Sequence, residues 1–140
     1  MRFMLIVKAN AESEAGVMPT KELIADMMKF NESLAKAGVL LGLDGLQASS
    51  KGARVKFADG KTTVIDGPFA ETKELIAGYW LIQVNSKEEA VEWARRSPNP
   101  AGPGKEGVIE VRQVFDMSDF PAETVDQEAV NRVAGAMSNH

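Results

Sequence analysis

The segment with the densest set of reactive side chains runs from Asp66 to Glu74. Its sequence, DGPFAETKE, holds three carboxylates and one ammonium group within nine residues, and its Gly-Pro pair restricts the backbone to a turn. A carboxylate that is partly removed from water becomes basic enough to act as a general base near neutral pH. Asp66 is the best candidate for that role, because it is predicted to end a strand beside the turn and near the apolar ring of Phe69.

Six residues are predicted to contact a small-molecule ligand. They combine members of this segment with residues on neighbouring elements: Asn31, Phe69, Glu71, Lys73, Tyr79 and Arg112. A structural alternative stays open for the segment, since turns often use Asp, Gly and Pro for backbone reasons. In that alternative Asp66 caps the turn, Phe69 fills the core, and the other charged side chains are solvated.

The candidates outside the segment have alternatives of their own. Asn31 falls on the apolar stripe of a predicted helix, where it either lines a pocket or bonds to a neighbouring backbone group. Glu110 and Arg112 share one face of the last predicted strand, as a ligand anchor or as a cross-strand ion pair. Tyr79 and Trp80 point to opposite faces of a strand, so one lines a cavity while the other packs in a core or a dimer face.

The composition excludes several kinds of chemistry. The 140-residue chain has no cysteine and a single histidine, His140. Disulfides, thiolate metal sites and cysteine nucleophiles are therefore excluded, and a cytoplasmic location is predicted. A His-Asp pair within the folded body is excluded unless His140 folds back onto it. The chain contains neither calcium-loop nor phosphate-loop spacing, so no metal and no cofactor are predicted.

The net charge of −4 belongs to the C-terminal segment. Residues 1–115 carry fifteen acidic and fifteen basic side chains, whereas residues 116–140 carry five acidic and one basic. A neutral body lacks the clustered cations that nucleic-acid binding needs, and no apolar run approaches the ~20 residues of a membrane span. The chain is therefore expected to contain one domain, residues 1–115, and an acidic extension, residues 116–140, with a helical apolar stripe.

Hydrophobic periodicity predicts the order strand, helix, strand, hairpin, strand, helix, strand. The strands are predicted at 2–8, 39–46, 53–58, 61–65, 75–84 and 108–115, and the helices at 20–37 and from Ser86 to Ser97. The Asp59-Gly60 turn sets the register of the hairpin and places Val55 opposite Val64. A loop is expected between the first strand and Pro19.

This order predicts an α+β fold of the ferredoxin-like type, βαββαβ with an inserted β-hairpin. Right-handed crossovers place both helices on one face of the sheet, although the predicted strands are apolar on both faces. The uncovered face would exceed the apolar patch that a soluble monomer tolerates. A two-fold homodimer, packed sheet to sheet, is therefore predicted. The alternative is that the hairpin or the tail covers this face within one chain.

The segment Asp66–Glu74, followed by Gly78-Tyr79 and Glu110-Val111-Arg112, resembles the signature of the DGPF group of YCII-related proteins. Ala37-Gly38-Val39-Leu40 and Glu89-Ala90 are similar to the patterns that flank this signature. The resemblance covers roughly residues 1–115 and leaves the tail outside. It implies a ferredoxin-like fold of the dimeric α/β-barrel type.

The resemblance implies two kinds of function. Some YCII-like relatives are enzymes that process small cyclic or halogenated aromatic compounds, which implies acid–base chemistry on a small organic molecule without a cofactor. DGPF proteins are also often associated with extracytoplasmic-function sigma factors, which implies a ligand-sensing or protein-binding module beside a transcription regulator. The enzymatic relatives pair a histidine with an aspartate. Because this chain has no histidine before position 140, a carboxylate or Tyr79 would have to serve as the base.

Overall fold

The computed structural model describes residues 1–138 and contains two sheets and four α-helices. The strands are β1 (Arg2–Lys8), β2 (Leu40–Gly45), β3 (Ala53–Ala58), β4 (Lys61–Asp66), β5 (Ile76–Gln83) and β6 (Ile109–Gln113). The helices are α1 (Ala11–Glu14), α2 (Lys21–Lys36), α3 (Lys87–Arg96) and α4 (Gln127–Ser138). Single 3₁₀ turns form at Ser49–Lys51, Thr72–Glu74, Met117–Asp119 and Ala122–Thr124.

Four strands form one sheet in the order β2-β5-β1-β6, and every neighbouring pair is antiparallel. Helix α2 connects β1 to β2, and α3 connects β5 to β6, so each helix crosses over to a strand that is not the next neighbour. The predicted ferredoxin-like α+β fold with an inserted hairpin is confirmed. The sheet is open, and no strand within residues 1–138 closes it into a barrel.

The core lies between the two crossover helices and one face of the sheet. Phe3 and Leu5 of β1 are buried, and so are Trp80 and Ile82 of β5, because these residues alternate onto the helix-facing side. Phe30 of α2 meets the Trp80 ring edge to face at a centroid distance of 5.2 Å, a favoured aromatic arrangement. Each such buried side chain contributes about 1.5–3 kcal/mol.

The opposite face of the sheet holds apolar residues that are only partly buried. Met4, Ile6 and Leu81 alternate with the core residues of β1 and β5, and none of the three is fully buried. On β6 the same face carries Glu110 and Arg112, which pair with Ile6 and Met4. We call this surface the open face of the sheet.

The two crossover helices begin and end where local sequence signals place them. The Thr20 side chain accepts a hydrogen bond from the Leu23 N–H at 3.2 Å and begins α2. Gly38, with φ of +74°, follows its last turn and adopts the left-handed conformation that glycine tolerates. The Ser86 side chain accepts from the Glu89 N–H at 3.1 Å and begins α3, while the Glu89 carboxylate accepts from the N–H of Asn85.

The inserted hairpin has the predicted register. Val55 pairs with Val64, and Phe57 pairs with Thr62, since the turn residue Asp59 adopts a positive φ of 52° that suits a tight hairpin. Every residue of β3 and β4 is exposed. The hairpin therefore forms a separate two-stranded sheet outside the core.

Helix α1 is the element that was predicted as loop. Asn10 accepts from the Ser13 N–H at 2.8 Å, and the Ser13 hydroxyl accepts from the Asn10 N–H at 2.9 Å. This reciprocal cap stabilises one helical turn too short to show a hydrophobic period. In the part of the chain that the structure describes, no helix has the length and apolarity that crossing a membrane demands.

Candidate functional site

A small cavity of about 210 Å³ opens at the end of the sheet where β2 and β5 meet α2. Its walls combine apolar side chains with a few polar ones: Val7, Met27, Asn31, Leu43, Asp44, Tyr79 and Trp80. Gly78 lies at its base, where an added Cβ would approach the Asp44 carbonyl oxygen to 2.9 Å. Glycine thus permits the close approach of β2 and β5 that shapes the cavity.

Asn31 is held in the cavity wall by the indole of Trp80. The Trp80 Nε1–H donates to the Asn31 Oδ1 at 2.7 Å, which orients the amide because an indole N–H is only a donor. The Asn31 amide nitrogen contacts the Met28 sulfur at 3.7 Å. Sulfur is a weak acceptor, so the amide retains donor capacity for a ligand. Of its two sequence-based alternatives, the structure places Asn31 in a pocket wall and bonds it to a side chain of β5.

A larger groove of about 910 Å³ adjoins the small cavity. The two share Val7, Met27, Gly45 and Ala77. The apolar wall of the groove comes from α2 and the loops on either side: Val17, Met18, Leu23, Ile24, Met28 and Leu46. Polar groups line its other side: Asn10, Glu12, Glu14, Gln47, Ser50 and Lys51. We call the cavity and the groove together the cleft.

Asp44 and Tyr79 form a hydrogen-bonded pair on the open face of the sheet, on the other side of the strands from Asn31 and Trp80. They are register partners on β2 and β5, and the Tyr79 hydroxyl donates to the Asp44 Oδ2 at 3.0 Å. This hydrogen bond, with the negative charge of Asp44, raises the pKa of the Tyr79 phenol above its ordinary value. A phenol with the ordinary pKa of 10.0 is already protonated at neutral pH, and the raised pKa of Tyr79 keeps it a hydrogen-bond donor further into the alkaline range.

Asp66 lies outside the cleft. It is the last residue of β4, it is exposed, and it lines neither the cavity nor the groove. The next residue, Gly67, donates its N–H to the Gly52 carbonyl at 3.0 Å. An added Cβ on Gly67 would overlap the carbonyl oxygen of Ser49. Glycine is therefore required where the segment packs on the Ser49–Lys51 turn.

The same turn is tied to α1 through a carboxylate. The Ser49 hydroxyl donates to the Glu14 Oε1, and the Ser49 N–H donates to Oε2 at 3.0 Å. The Ser49 hydroxyl also accepts from the Phe69 N–H at 3.1 Å. Hydrogen bonds from the Ser49 side chain, and then from its backbone, lower the pKa of Glu14 below its ordinary value. Glu14, Ser49 and Phe69 thus fasten the Asp66–Glu74 segment to the wall of the groove.

The other ligand candidates of this segment are near the hairpin. Phe69 is half-buried, with the Arg54 guanidinium 3.9 Å above its ring centroid. Glu71 reaches the same guanidinium at 3.9 Å. Lys73 is exposed in the turn that follows. These contacts hold the base of the hairpin, and none of the three residues lines the cleft.

Arg112 forms an ion pair along its own strand. Its Nη1 donates to the Glu110 Oε2 at 3.2 Å on the open face, with both side chains accessible to solvent. Within residues 1–138, no three His, Cys, Asp or Glu side chains come together in a group that would hold a metal ion. His140 lies outside the described residues.

Sequence reasoning missed Asp44, Glu14 and Ser49. Asp44 has a signal in retrospect, because the antiparallel register of β2 and β5 places it opposite Tyr79. Glu14 and Ser49 are 35 residues apart, and no local pattern links them. Their contact depends on how the loops of the groove fold over α2.

An open antiparallel sheet with two helices on one face, and a cleft at the β2–β5 end, defines this molecule as a ferredoxin-like α+β protein. Residues 1–118 match the YCII-related domain, and the chain belongs to the YCII-related family. It is similar to an uncharacterized protein of Rhizobium meliloti (strain 1021), with 36% identity over 106 residues. That alignment covers 74% of this chain and 84% of the Rhizobium protein.

Proposed function

We propose that this protein binds a small, largely apolar organic molecule in the cleft, with Asn31 as the polar anchor. The observation that carries the proposal is a groove of about 910 Å³ that joins, at Val7 and Met27, the small cavity lined by Asn31. Ligand sites are concave, mostly apolar and about 300–1,000 Å³ in volume, with a few placed polar groups. The cleft has this combination.

The walls define the chemistry of the ligand. Methionine and leucine side chains of α2 offer an adaptable apolar surface, which suits a ring or a branched hydrocarbon. At the inner end, the Asn31 amide offers a donor that a carbonyl, hydroxyl or ether oxygen of the ligand would accept. A cyclic compound with one polar substituent fits both features.

Binding is better supported than catalysis. Asp66, the predicted general base, is exposed and outside the cleft. Asp44 belongs to the strand that lines the cavity, but its side chain lies on the open face, where it accepts a hydrogen bond from Tyr79. A phenol whose pKa is raised is a poor general acid at neutral pH. A catalytic form of the proposal with Asp44 as the base would therefore place the substrate on the open face and not in the cleft.

The experiment fills the cleft and measures ligand retention. Met27 lines both the cavity and the groove, so Met27→Trp narrows the passage between them. Native mass spectrometry of the purified wild type is expected to show a bound organic molecule, and the environment-sensitive dye anilinonaphthalene sulfonate is expected to fluoresce on binding. Met27→Trp reduces both signals.

The control replaces a methionine that lies outside the cleft. Met137 on α4 is 69% exposed, so Met137→Trp adds the same ring without narrowing the passage. Circular dichroism checks that both variants fold. Equal dye binding by folded Met27→Trp and Met137→Trp would exclude the cleft as the site. Asp66→Asn is expected to bind like the wild type, whereas Asn31→Leu weakens binding.

The proposed assembly is a homodimer formed through the open face. The chain has 10161 Å² of accessible surface, whereas a compact monomer of 15.1 kDa exposes about 7,100 Å². The surplus of roughly 3,000 Å² per chain is more than half of the about 2,000–5,000 Å² that permanent dimers bury on both partners together, so each chain has enough surface for such an interface. Met4, Ile6 and Leu81 supply the apolar centre of the surface that a second copy would cover.

In the non-catalytic form of the proposal, the protein senses a ligand and acts beside a transcription regulator without converting a substrate. It is favoured by a cleft whose polar anchor, Asn31, binds and orients rather than carries protons. The cysteine-free composition supports the cytoplasm as the location. Co-purification of the full chain with a sigma factor, dependent on Asn31, would support this role, and substrate turnover that Asp44→Asn abolishes would replace it with the enzymatic one.

A further inference from the structure

The β3–β4 hairpin has one apolar face and one basic face. Val55, Phe57 and Val64 share the first face and are 52%, 79% and 65% exposed. Arg54, Lys56 and Lys61 share the second. A two-stranded sheet without further packing is marginally stable in water. The apolar face is thus a surface that lacks its packing partner.

The C-terminal segment has the complementary character. Phe115 and Phe120 stack at a centroid distance of 5.0 Å and are 69% and 41% exposed. Val133 and Met137 are exposed on α4. Residues 116–138 carry five carboxylates and one arginine, whereas residues 51–61 carry four cations and one carboxylate. The two segments therefore match in apolar character and are opposite in charge.

The fold separates the two segments within one chain. The hairpin leaves the sheet between the end of β2 and the start of β5, at the β2 edge. The C-terminal segment leaves after Gln113, which pairs with Phe3 at the other end of the sheet, on the β6 edge. They start at diagonally opposite corners. When two copies pack open face to open face, a two-fold axis can run along the other diagonal of that face. Rotation about this axis places the hairpin corner of one copy over the C-terminal corner of the other. Each hairpin then meets the C-terminal segment of the second copy.

We infer that the acidic C-terminal segment of one copy packs against the β3–β4 hairpin of a second copy, as a reciprocal pair of arms around the dimer. The inference rests on the proposed homodimer and adds a second, charged contact to the open face. Apolar residues of the segment cover Val55, Phe57 and Val64, and its carboxylates lie along the edges of the hairpin, where the long lysine side chains of the opposite face reach them.

The first experiment exchanges charges. The double variant Lys56→Glu with Lys61→Glu reverses the charge of the hairpin. The double variant Glu123→Lys with Glu128→Lys reverses the charge of the C-terminal segment. All four residues are exposed. Each double variant is expected to raise the dimer dissociation constant about tenfold at low salt, measured by analytical ultracentrifugation. The quadruple variant restores it to within about threefold of the wild type. Double variants that match the wild type, or a quadruple variant without restoration, would overturn the inference.

The second experiment locates the contact. Because the chain has no cysteine, Ala58→Cys and Glu123→Cys each provide a single site for a short bismaleimide cross-linker. Mixing the two variants is expected to give a cross-linked dimer on a denaturing gel. Mixing Ala58→Cys with Lys29→Cys, whose site lies on α2, gives none.

The outcomes separate this inference from the dimer itself. A cross-link that forms only within a chain carrying both Ala58→Cys and Glu123→Cys means that the segment covers its own hairpin, and it overturns the inference. A dimer without either cross-link overturns the inference and leaves the open-face dimer intact. A wild type that sediments as a monomer overturns both.

Discussion

Tyr79 is the chain's single tyrosine, and its hydroxyl donates to Asp44 on the open face of the sheet. Removing the negative charge of Asp44 weakens the two largest causes of the raised phenol pKa. We therefore predict that Asp44→Asn lowers the pKa of Tyr79 towards its ordinary value of 10.0. Ultraviolet absorbance of tyrosinate during an alkaline titration reports this residue alone, since tryptophan does not ionise.

Asp66→Asn is the matched control for this titration. Asp66 is exposed at the end of β4 and makes no hydrogen bond to Tyr79, so the tyrosinate curve is expected to stay where it is in the wild type. A shift produced by Asp66→Asn, and not by Asp44→Asn, would mean that Tyr79 is paired with a different carboxylate.

Glu14 gives the groove a pH-dependent contact. Its pKa is lowered in the folded protein by hydrogen bonds from Ser49, so the unfolded chain binds its proton at a higher pH than the folded chain does. The stabilisation is therefore fully present above the ordinary pKa of 4.5 and is lost as pH falls through the lower, folded value. We predict that Ser49→Ala raises the Glu14 pKa, as followed by carboxylate chemical shifts in an NMR titration.

The corresponding stability measurement compares Glu14→Gln with the wild type. At pH 7, Glu14→Gln is expected to unfold at a lower denaturant concentration than the wild type. The difference between the two unfolding midpoints is expected to shrink below pH 4.5. Glu123→Gln, on an exposed 3₁₀ turn, tests the effect of charge removal by itself. A Glu14→Gln difference that grows in acid would contradict the assigned direction of the pKa shift.

Between elements, the Asp66–Glu74 segment acts as the anchor of the hairpin. Gly67 packs against the Ser49 backbone, where an added Cβ would overlap the carbonyl oxygen. We predict that Gly67→Ala lowers the free energy of local opening of residues 53–66 by about 1–3 kcal/mol. Hydrogen exchange resolved by mass spectrometry measures this as faster exchange in the hairpin, with the core of β1 and β5 unchanged.

Gly52→Ala is the control at the other side of the same contact. A Cβ on Gly52 would lie 3.6 Å from the Ser49 carbonyl oxygen, which is an ordinary contact, and its φ of −116° suits any residue. Exchange in the hairpin is expected to match the wild type. Equal acceleration by both substitutions would show that general strain in the turn, rather than the Gly67 contact, controls the hairpin.

The elements that the sequence predicts well are those whose signals are local. Alternating apolar residues specify the strands Arg2–Lys8 and Ile76–Gln83. The Thr20 cap specifies the start of a helix, and the Asp59-Gly60 turn specifies the hairpin. The ferredoxin-like order follows from them. Helix α1 escaped prediction because its single turn depends on a side-chain cap rather than on a hydrophobic period.

The candidate site depends on contacts that no local signal specifies. The stripe of α2 predicts that Asn31 faces inward, but its bond to Trp80 joins residues 49 positions apart. The Asp66–Glu74 segment is dense in reactive groups, and its contacts with Ser49 and Arg54 depend on how the hairpin folds back. Composition alone could not distinguish a reactive turn from an anchoring one.

For the molecule as a whole, the distribution of apolar surface is the dominant feature. Among residues 1–138, eight buried hydrophobic residues make up the core, and all of them lie on the helix side of the sheet or in the helices that cover it. The open face is partly exposed, and the hairpin, the cleft, the Phe115–Phe120 stretch and α4 expose further apolar side chains. Such a chain gains the most stabilisation when a second copy covers its open face with the same surface. In an isologous interface the same patch is used by both copies, so apolar residues meet apolar residues.

Leu81 tests that argument, because it lies near the centre of the open face as the register partner of Met4. Leu81→Lys places a charge in the proposed interface and is expected to convert a dimer of about 30 kDa into monomers in light scattering, with a dissociation constant raised at least about a hundredfold. Gln113→Lys, at an exposed position of β6, adds the same charge on the helix-facing side and is expected to remain dimeric. If folded Leu81→Lys is still a dimer, the interface does not lie on the open face. The dimer would then have to form through the contact between the hairpin and the C-terminal segment alone.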